Sequence, residues 1–197
     1  MRRLSLSLFS ILLLALLAGC AKKPVPETPP SPMTETWLMA HTKISPTGAE
    51  GGATITQPRL AQQVRFGEGN ATVYTTLAVE TATKKKSDNY LLFFSMRADR
   101  WGNFTSAIDT LGLRYTVVPY TSYIRQGVYY ENVFITLSGS WFESAGREAG
   151  TFLLLGPDSE ISIEIPAVYP KALLHSLRRY REGNASAVTT AQDISAQ

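Results

Sequence analysis

General acid–base hydrolysis needs two carboxylates held close together, and Asp99, Asp109, Glu131 and Glu143 are the candidates to converge from separate elements. Their spacing favours no pair over another. A serine nucleophile on a sharp elbow would need Gly-x-Ser-x-Gly, and no serine has glycine two residues away on both sides. The nearest approach, Gly139-Ser140-Trp141, reads as a turn. No Gly-x-x-x-x-Gly-Lys loop is present, and no Gly-x-Gly-x-x-Gly opens a helix; Gly67-Glu68-Gly69 reads as a hairpin connection. Zinc draws on Cys and His, but the chain has one cysteine, Cys20, and two histidines, His41 and His175, without ligand-spaced neighbours. The expectation is a non-catalytic protein with no metal and no cofactor. A hydrolase built on an unrecognised carboxylate pair is the remote alternative.

Binding chemistry is better represented. Tyr115, Tyr120, Tyr123, Tyr129 and Tyr130 fall in one short stretch. Tyrosine presents a large apolar face with a polar tip, which suits protein contacts and sugar stacking. It also suits half-buried strands, which is the plainer reading. Lys171, Arg178, Arg179 and Arg181 would make a basic helix face, for anionic lipid or polysaccharide or simply for solvent. Trp101, ahead of Gly102, Asn103 and Phe104, and Trp141-Phe142 stand beside turns, as exposed contacts or as caps on a core.

The elements that must position these groups begin with a leader. Met1-Arg2-Arg3 is a basic start, followed over 4–17 by an apolar run broken only by Ser5, Ser7 and Ser10. A transmembrane helix needs roughly 20 apolar residues, so this shorter run suits a secretory signal instead. It ends in Leu17-Ala18-Gly19-Cys20. Those residues resemble the lipobox of bacterial lipoprotein precursors. The resemblance implies cleavage between Gly19 and Cys20, a diacylated Cys20 thiol and an anchor of two or three acyl chains, enough for stable membrane attachment. It also implies delivery to the outer membrane, since Ala21 and not aspartate follows the cysteine. Removing Arg2 and Arg3 leaves Lys and Arg nearly balanced by Asp and Glu, which argues against a nucleic-acid partner.

Residues 20–35 read as a lipidated tether, because Pro24, Pro26, Pro29, Pro30 and Pro32 favour extended polyproline II at about 3.1 Å per residue. Residues 36–183 are long enough for one core. A loop is expected at 45–52 and a polar hairpin tip at 84–89. Alternation predicts a strand over 73–79. An almost continuous apolar run predicts one over 90–96, buried on both faces. Further strands are predicted at 113–118, 128–137, 151–155 and 161–165, with a turn at Gly156-Pro157-Asp158. A short helix is possible near 105–111. A longer one begins at Pro170, carries Leu173, Leu174, Leu177 and Tyr180 on one face, and ends at Gly183. The tail 184–197 reads as disordered.

The predicted fold is mainly β, a β-sandwich or a curved antiparallel sheet, with one C-terminal α-helix; α+β is the alternative. The function expected from this plan is a lipid-anchored bacterial envelope protein facing the periplasm. It would act as an interaction or assembly subunit with an envelope protein partner. A periplasmic module binding a glycan, lipid or peptide is the alternative.

Overall fold

The computed structural model describes residues 33–47, 52–82, 88–145 and 148–195. The leader, Gly19, Cys20, the proline tether and most of the 84–89 tip lie outside the described residues.

The first element, α1 (Glu35–His41), is capped by Thr34, whose Oγ1 accepts the Trp37 N–H at 3.2 Å. Eleven strands follow: β1 (Lys43–Thr47), β2 (Gly52–Thr56), β3 (Leu60–Phe66), β4 (Gly69–Thr81), β5 (Asn89–Ala98), β6 (Ser106–Asp109), β7 (Arg114–Thr116), β8 (Val118–Arg125), β9 (Val128–Leu137), β10 (Gly150–Gly156) and β11 (Ser159–Ile165). Between β9 and β10 lies α2 (Gly139–Ala145), and α3 (Val168–Ser195) ends the described chain.

All pairings are antiparallel. A seven-stranded sheet runs β1-β2-β4-β5-β9-β8, with β3 also on β4, and a four-stranded sheet runs β11-β10-β6-β7. The long β4 explains the branch: its first half pairs with β3 and its last residues with β2, along the same side. Tyr169 of α3 closes the gap between β2 and β3, its hydroxyl donating to the carbonyls of Pro58 and Thr75. Removal of this phenol from water pushes its pKa well up.

The two sheets and α3 enclose one core. Leu77, Leu92, Phe94 and Ile135 face Phe152, Leu154, Ile161 and Ile163, with Tyr169, Leu173 and Leu177 of α3 completing it. Phe94 and Phe152 meet edge to face at 6.3 Å. Each fully buried side chain of this size is worth about 1.5–3 kcal/mol. The fold is thus mainly β and sandwich-like, with a long C-terminal helix, as its alternating segments predict.

Four local expectations need correction. The segment near 105–111 is β6 and a turn: Ala107 and Asp109 are buried alternately, a period of two that a helix could not satisfy. Residues 43–47 pair with β2, so Ser45, Pro46 and Thr47, expected in a loop, belong to a strand. In β5 Leu92, Phe94, Met96 and Ala98 are buried on one face, whereas on the other Leu91 is buried, Phe93 and Ser95 are half-buried and Arg97 is exposed, so burial on both faces is confined to the start of the strand. Finally, the helix continues through Gly183 to Ser195, into the segment expected to be disordered. An interior glycine costs only about 1 kcal/mol relative to alanine, and Ala185, Ala187 and Ala191 follow it without a proline.

A candidate interaction edge on β8

β8 closes the seven-stranded sheet on the side opposite β1, and all eight of its residues are exposed. The two-residue turn that joins it to β9, Gln126-Gly127, has φ of 52° and 74°. Positive φ at both central residues matches the natural twist of a hairpin, and glycine at the second makes it cheap. Pairing runs from Arg125↔Val128 up to Val118↔Phe134, with a bulge between Pro119 and Thr121. The edge leaves large apolar groups open: Tyr120 is 72% exposed, Ile124 55%, Tyr123 47% and Val118 38%. Arg125 is its single charge.

The five tyrosines do not form one patch. Tyr123 and Tyr130 sit opposite each other and stack, with ring centroids 4.9 Å apart and planes 10° apart. Tyr120 lies at the bulge between Pro119 and Thr121 and is open to solvent. Tyr129 turns to the other face and meets Trp101 edge-on at 5.0 Å. Tyr115, on β7, points inward: its ring packs on Phe152 at 5.8 Å and its hydroxyl donates to Asp109 Oδ2 at 2.8 Å. Burial, then the Asp109 carboxylate, raise its pKa strongly. Tyr120, Tyr123 and Tyr130 thus belong to the open surface, and Tyr115 to the core.

The carboxylates are used structurally. Glu131 is buried on β9, where it accepts the N–H groups of Gly102 (2.8 Å), Asn103 (3.1 Å) and Phe104 (3.0 Å). Asp109 is buried on β6, where Oδ1 accepts Leu111 and Leu113 N–H, both at 2.9 Å. Each therefore fixes a different loop on a different sheet. Asp99 is exposed at the end of β5. Glu143 lies on α2, its side chain outside the described ones.

Other candidates resolve in the same way. Ser140 falls in the first turn of α2, where Ser138 Oγ accepts the Trp141 N–H at 3.2 Å, so the expected turn is a helix start. Trp141, Phe142 and Phe104 are core residues. His41 stacks on Trp37 at 4.2 Å, and His175 Nδ1 lies 3.1 Å from Glu35 Oε1. No group of three or more metal-ligating side chains occurs among the described residues. On α3, Lys171 pairs with Glu35 at 3.2 Å, and Arg181 makes two bonds to Asp88 at 2.6 and 2.7 Å. Arg178 and Arg179 are exposed, so the basic face is divided between pairing and solvent.

Sequence reasoning named Tyr120 and Tyr123 but missed Ile124, and it ended a strand at Val118 where β7 stops at Thr116 and a separate β8 runs on from Val118 to Arg125. One signal was present: from Tyr115 to Ile124 no residue is charged. Such a run reads as interior, and only the topology shows that Tyr115 and Val117 are covered while 118–124 is left open. Among the described residues, no helix is long and apolar enough to cross a membrane. The chain matches no family model, no curated protein and no solved structure.

Proposed function

We propose that this chain is a bacterial envelope lipoprotein that works without catalysis as an interaction or assembly subunit. On this reading it is cleaved after Gly19, anchored through an acylated Cys20 in the outer membrane, and held off the lipid by its proline-rich tether. The observation that carries the interaction role is β8, an edge strand with four large apolar side chains open to solvent. Exposed strand edges are normally blunted by charge, proline or a bulge, or covered; on β8 these devices stand only at its ends, at 119–120 and Arg125, and the stretch between them is open to another chain. Its placement supports the reading. The tether leads into α1, which packs on α3, and α3 packs on β2 and β4. Four strand spacings of about 4.8 Å separate β2 from β8, so the open edge lies about 19 Å away from that side.

The test is affinity capture of the full chain from gently solubilised envelopes, beside Cys20→Ala and Ile124→Lys. Discrete co-purifying protein, lost with Ile124→Lys, supports the role. Equal recovery with Ile124→Lys removes β8 from it. Release of Cys20→Ala into the soluble fraction supports the anchor, and retention of that variant in the membrane counts against it.

A ligand-binding role is the second reading. The parallel rings of Tyr123 and Tyr130, beside Arg97 and Asn132 in neighbouring register positions, suit stacking against a sugar. Binding of soluble glycan fragments that Tyr123→Ala abolishes would favour it.

A further inference from the structure

Counting from the Gln126-Gly127 turn, alternate β8–β9 pairs exchange both backbone hydrogen bonds. Arg125, Tyr123 and Thr121 therefore direct their N–H and C=O groups towards β9, and Ser122 and Ile124 direct theirs outward. The bulge between Pro119 and Thr121 interrupts the ladder, and Pro119 has no donor. The straight, open part of the edge is 121–125.

We infer that the occupant of this edge is a second copy of the same chain, joined by antiparallel β8–β8 pairing about a twofold axis at Tyr123. This deepens the interaction-subunit reading and rests on it. Only one register uses 121–125 and matches outward groups with outward groups. It sets Ser122 against Ile124 of the second copy, Thr121 against Arg125 and Tyr123 against Tyr123. Centring the axis on Ser122 instead would draw the bulged Tyr120 into the ladder.

Charge fits a second copy. Arg125 is the only charge on β8, and this register places it opposite a neutral threonine, so no like charges meet. The Tyr130–Tyr123 stack continues across the axis into a row of four rings, a stabilising cross-strand arrangement. The other edges are less suited to the same pairing. β1 has Pro46 within its five residues whereas Pro119 lies outside 121–125, β7 has three residues, and β3 and β11 are tied to each other by Gln62, which occupies the backbone groups of Glu164.

The area sets the strength. With roughly 200 Å² for an aromatic side chain, Tyr120 and Tyr123 leave about 240 Å² open on each copy. A standard interface covers about 800 Å² per partner. The pairing is therefore weak and concentration-dependent, suited to copies held on one membrane.

The test is oxidative cross-linking of the full chain in cells, comparing Tyr123→Cys, Ser122→Cys and Tyr120→Cys with the natural sequence. Directly opposed residues in a non-hydrogen-bonded antiparallel pair have Cα atoms about 4.5 Å apart, within disulfide range. Tyr123→Cys is expected to form a covalent dimer at least about tenfold faster than the other two, which are offset in this register. Equal rates at all three positions, or none, would overturn the pairing. A photo-cross-linking residue at Ile124 keeps the result independent of the cysteine variants. Adducts at twice the chain mass support the proposal. Adducts only to a different polypeptide overturn the second copy while leaving β8 as an interaction surface. No adduct to any protein sinks both.

Discussion

β11 ends the four-stranded sheet and β8 ends the seven-stranded one, yet the two edges are finished differently. On β11 the side-chain amide of Gln62, from β3, donates to the Glu164 carbonyl at 2.7 Å and accepts the Glu164 N–H at 3.1 Å. One side chain thus imitates a neighbouring strand and ties the rims of the two sheets together. The alternating Ile161, Ile163 and Ile165 are fully buried behind it. On β8 the Asn132 amide, from β9, donates to the Thr121 carbonyl at 3.2 Å, but among the described residues no side chain caps the backbone groups of Ser122 and Ile124, and apolar side chains remain open. A closed edge beside an open one in the same molecule teaches that the opening is local. It comes from what β8 lacks, not from a loose fold.

The comparison breaks most visibly at Glu131, which lies directly opposite Ser122 of β8. Glu131→Ala leaves three loop N–H groups without their acceptor. A buried unsatisfied donor costs about 1–3 kcal/mol, so unfolding free energy should fall by about 3 kcal/mol or more in denaturant titration. A fall below about 1 kcal/mol would mean that the loop finds other acceptors and that the open edge is not rigidly backed.

Gln62→Ala should open the closed edge. Losing two surface hydrogen bonds is worth about 1 kcal/mol, and amide exchange at Glu164 should accelerate while the Ile163 amide changes little. Unchanged exchange at Glu164 would show that β11 does not depend on this cap.

On the open edge the expectation reverses. Ile124→Lys should change stability by no more than about 0.5 kcal/mol, the usual range for an exposed site, while abolishing association through β8. A large loss of stability would instead make Ile124 part of the core and remove the contrast.

The smallest effect belongs to the far side of the molecule, where Glu35 of α1 meets His175 and Lys171 of α3. The hydrogen bond from His175 is the largest influence on the Glu35 pKa and lowers it; burial, next in size, raises it, and the hydrogen bond and charge of Lys171 lower it again, so the net shift is downward. A carboxylate depressed in the folded state adds stability above its ordinary pKa and loses it as pH falls through the folded value. α1 should therefore loosen only in acid, below the ordinary glutamate range. Trp37 fluorescence should report this, and Glu35→Gln should abolish the dependence. Loosening that is already complete at neutral pH would remove Glu35 from this role.

Much of the scaffold was legible in the chain because alternation is a local property. Val73, Leu77 and Val79, or Ile161, Ile163 and Ile165, declare a face without reference to any partner. The carboxylates show the reverse. Asp109 and Glu131 look like candidate acids in sequence, and only the neighbouring N–H groups reveal them as loop anchors. The tyrosine stretch lies between these cases. Residue type marked it as a place for contacts, but whether each ring meets Phe152, Trp101 or solvent depends on strands far away in the chain.

By itself, then, the sequence determined the β-rich fold and its inward-facing residues, since burial patterns repeat every two residues along each strand. Tertiary structure decided which strands lie at the edges, which of those edges is capped, and which polar groups are satisfied. Those properties depend on pairing across long stretches of chain: Gln62 meets Glu164, and Glu131 meets Gly102. The neutral run 115–124 carries one local signature, yet Tyr115 and Val117 are covered and 118–124 is open, and only the place of β8 at the end of the sheet made that part open.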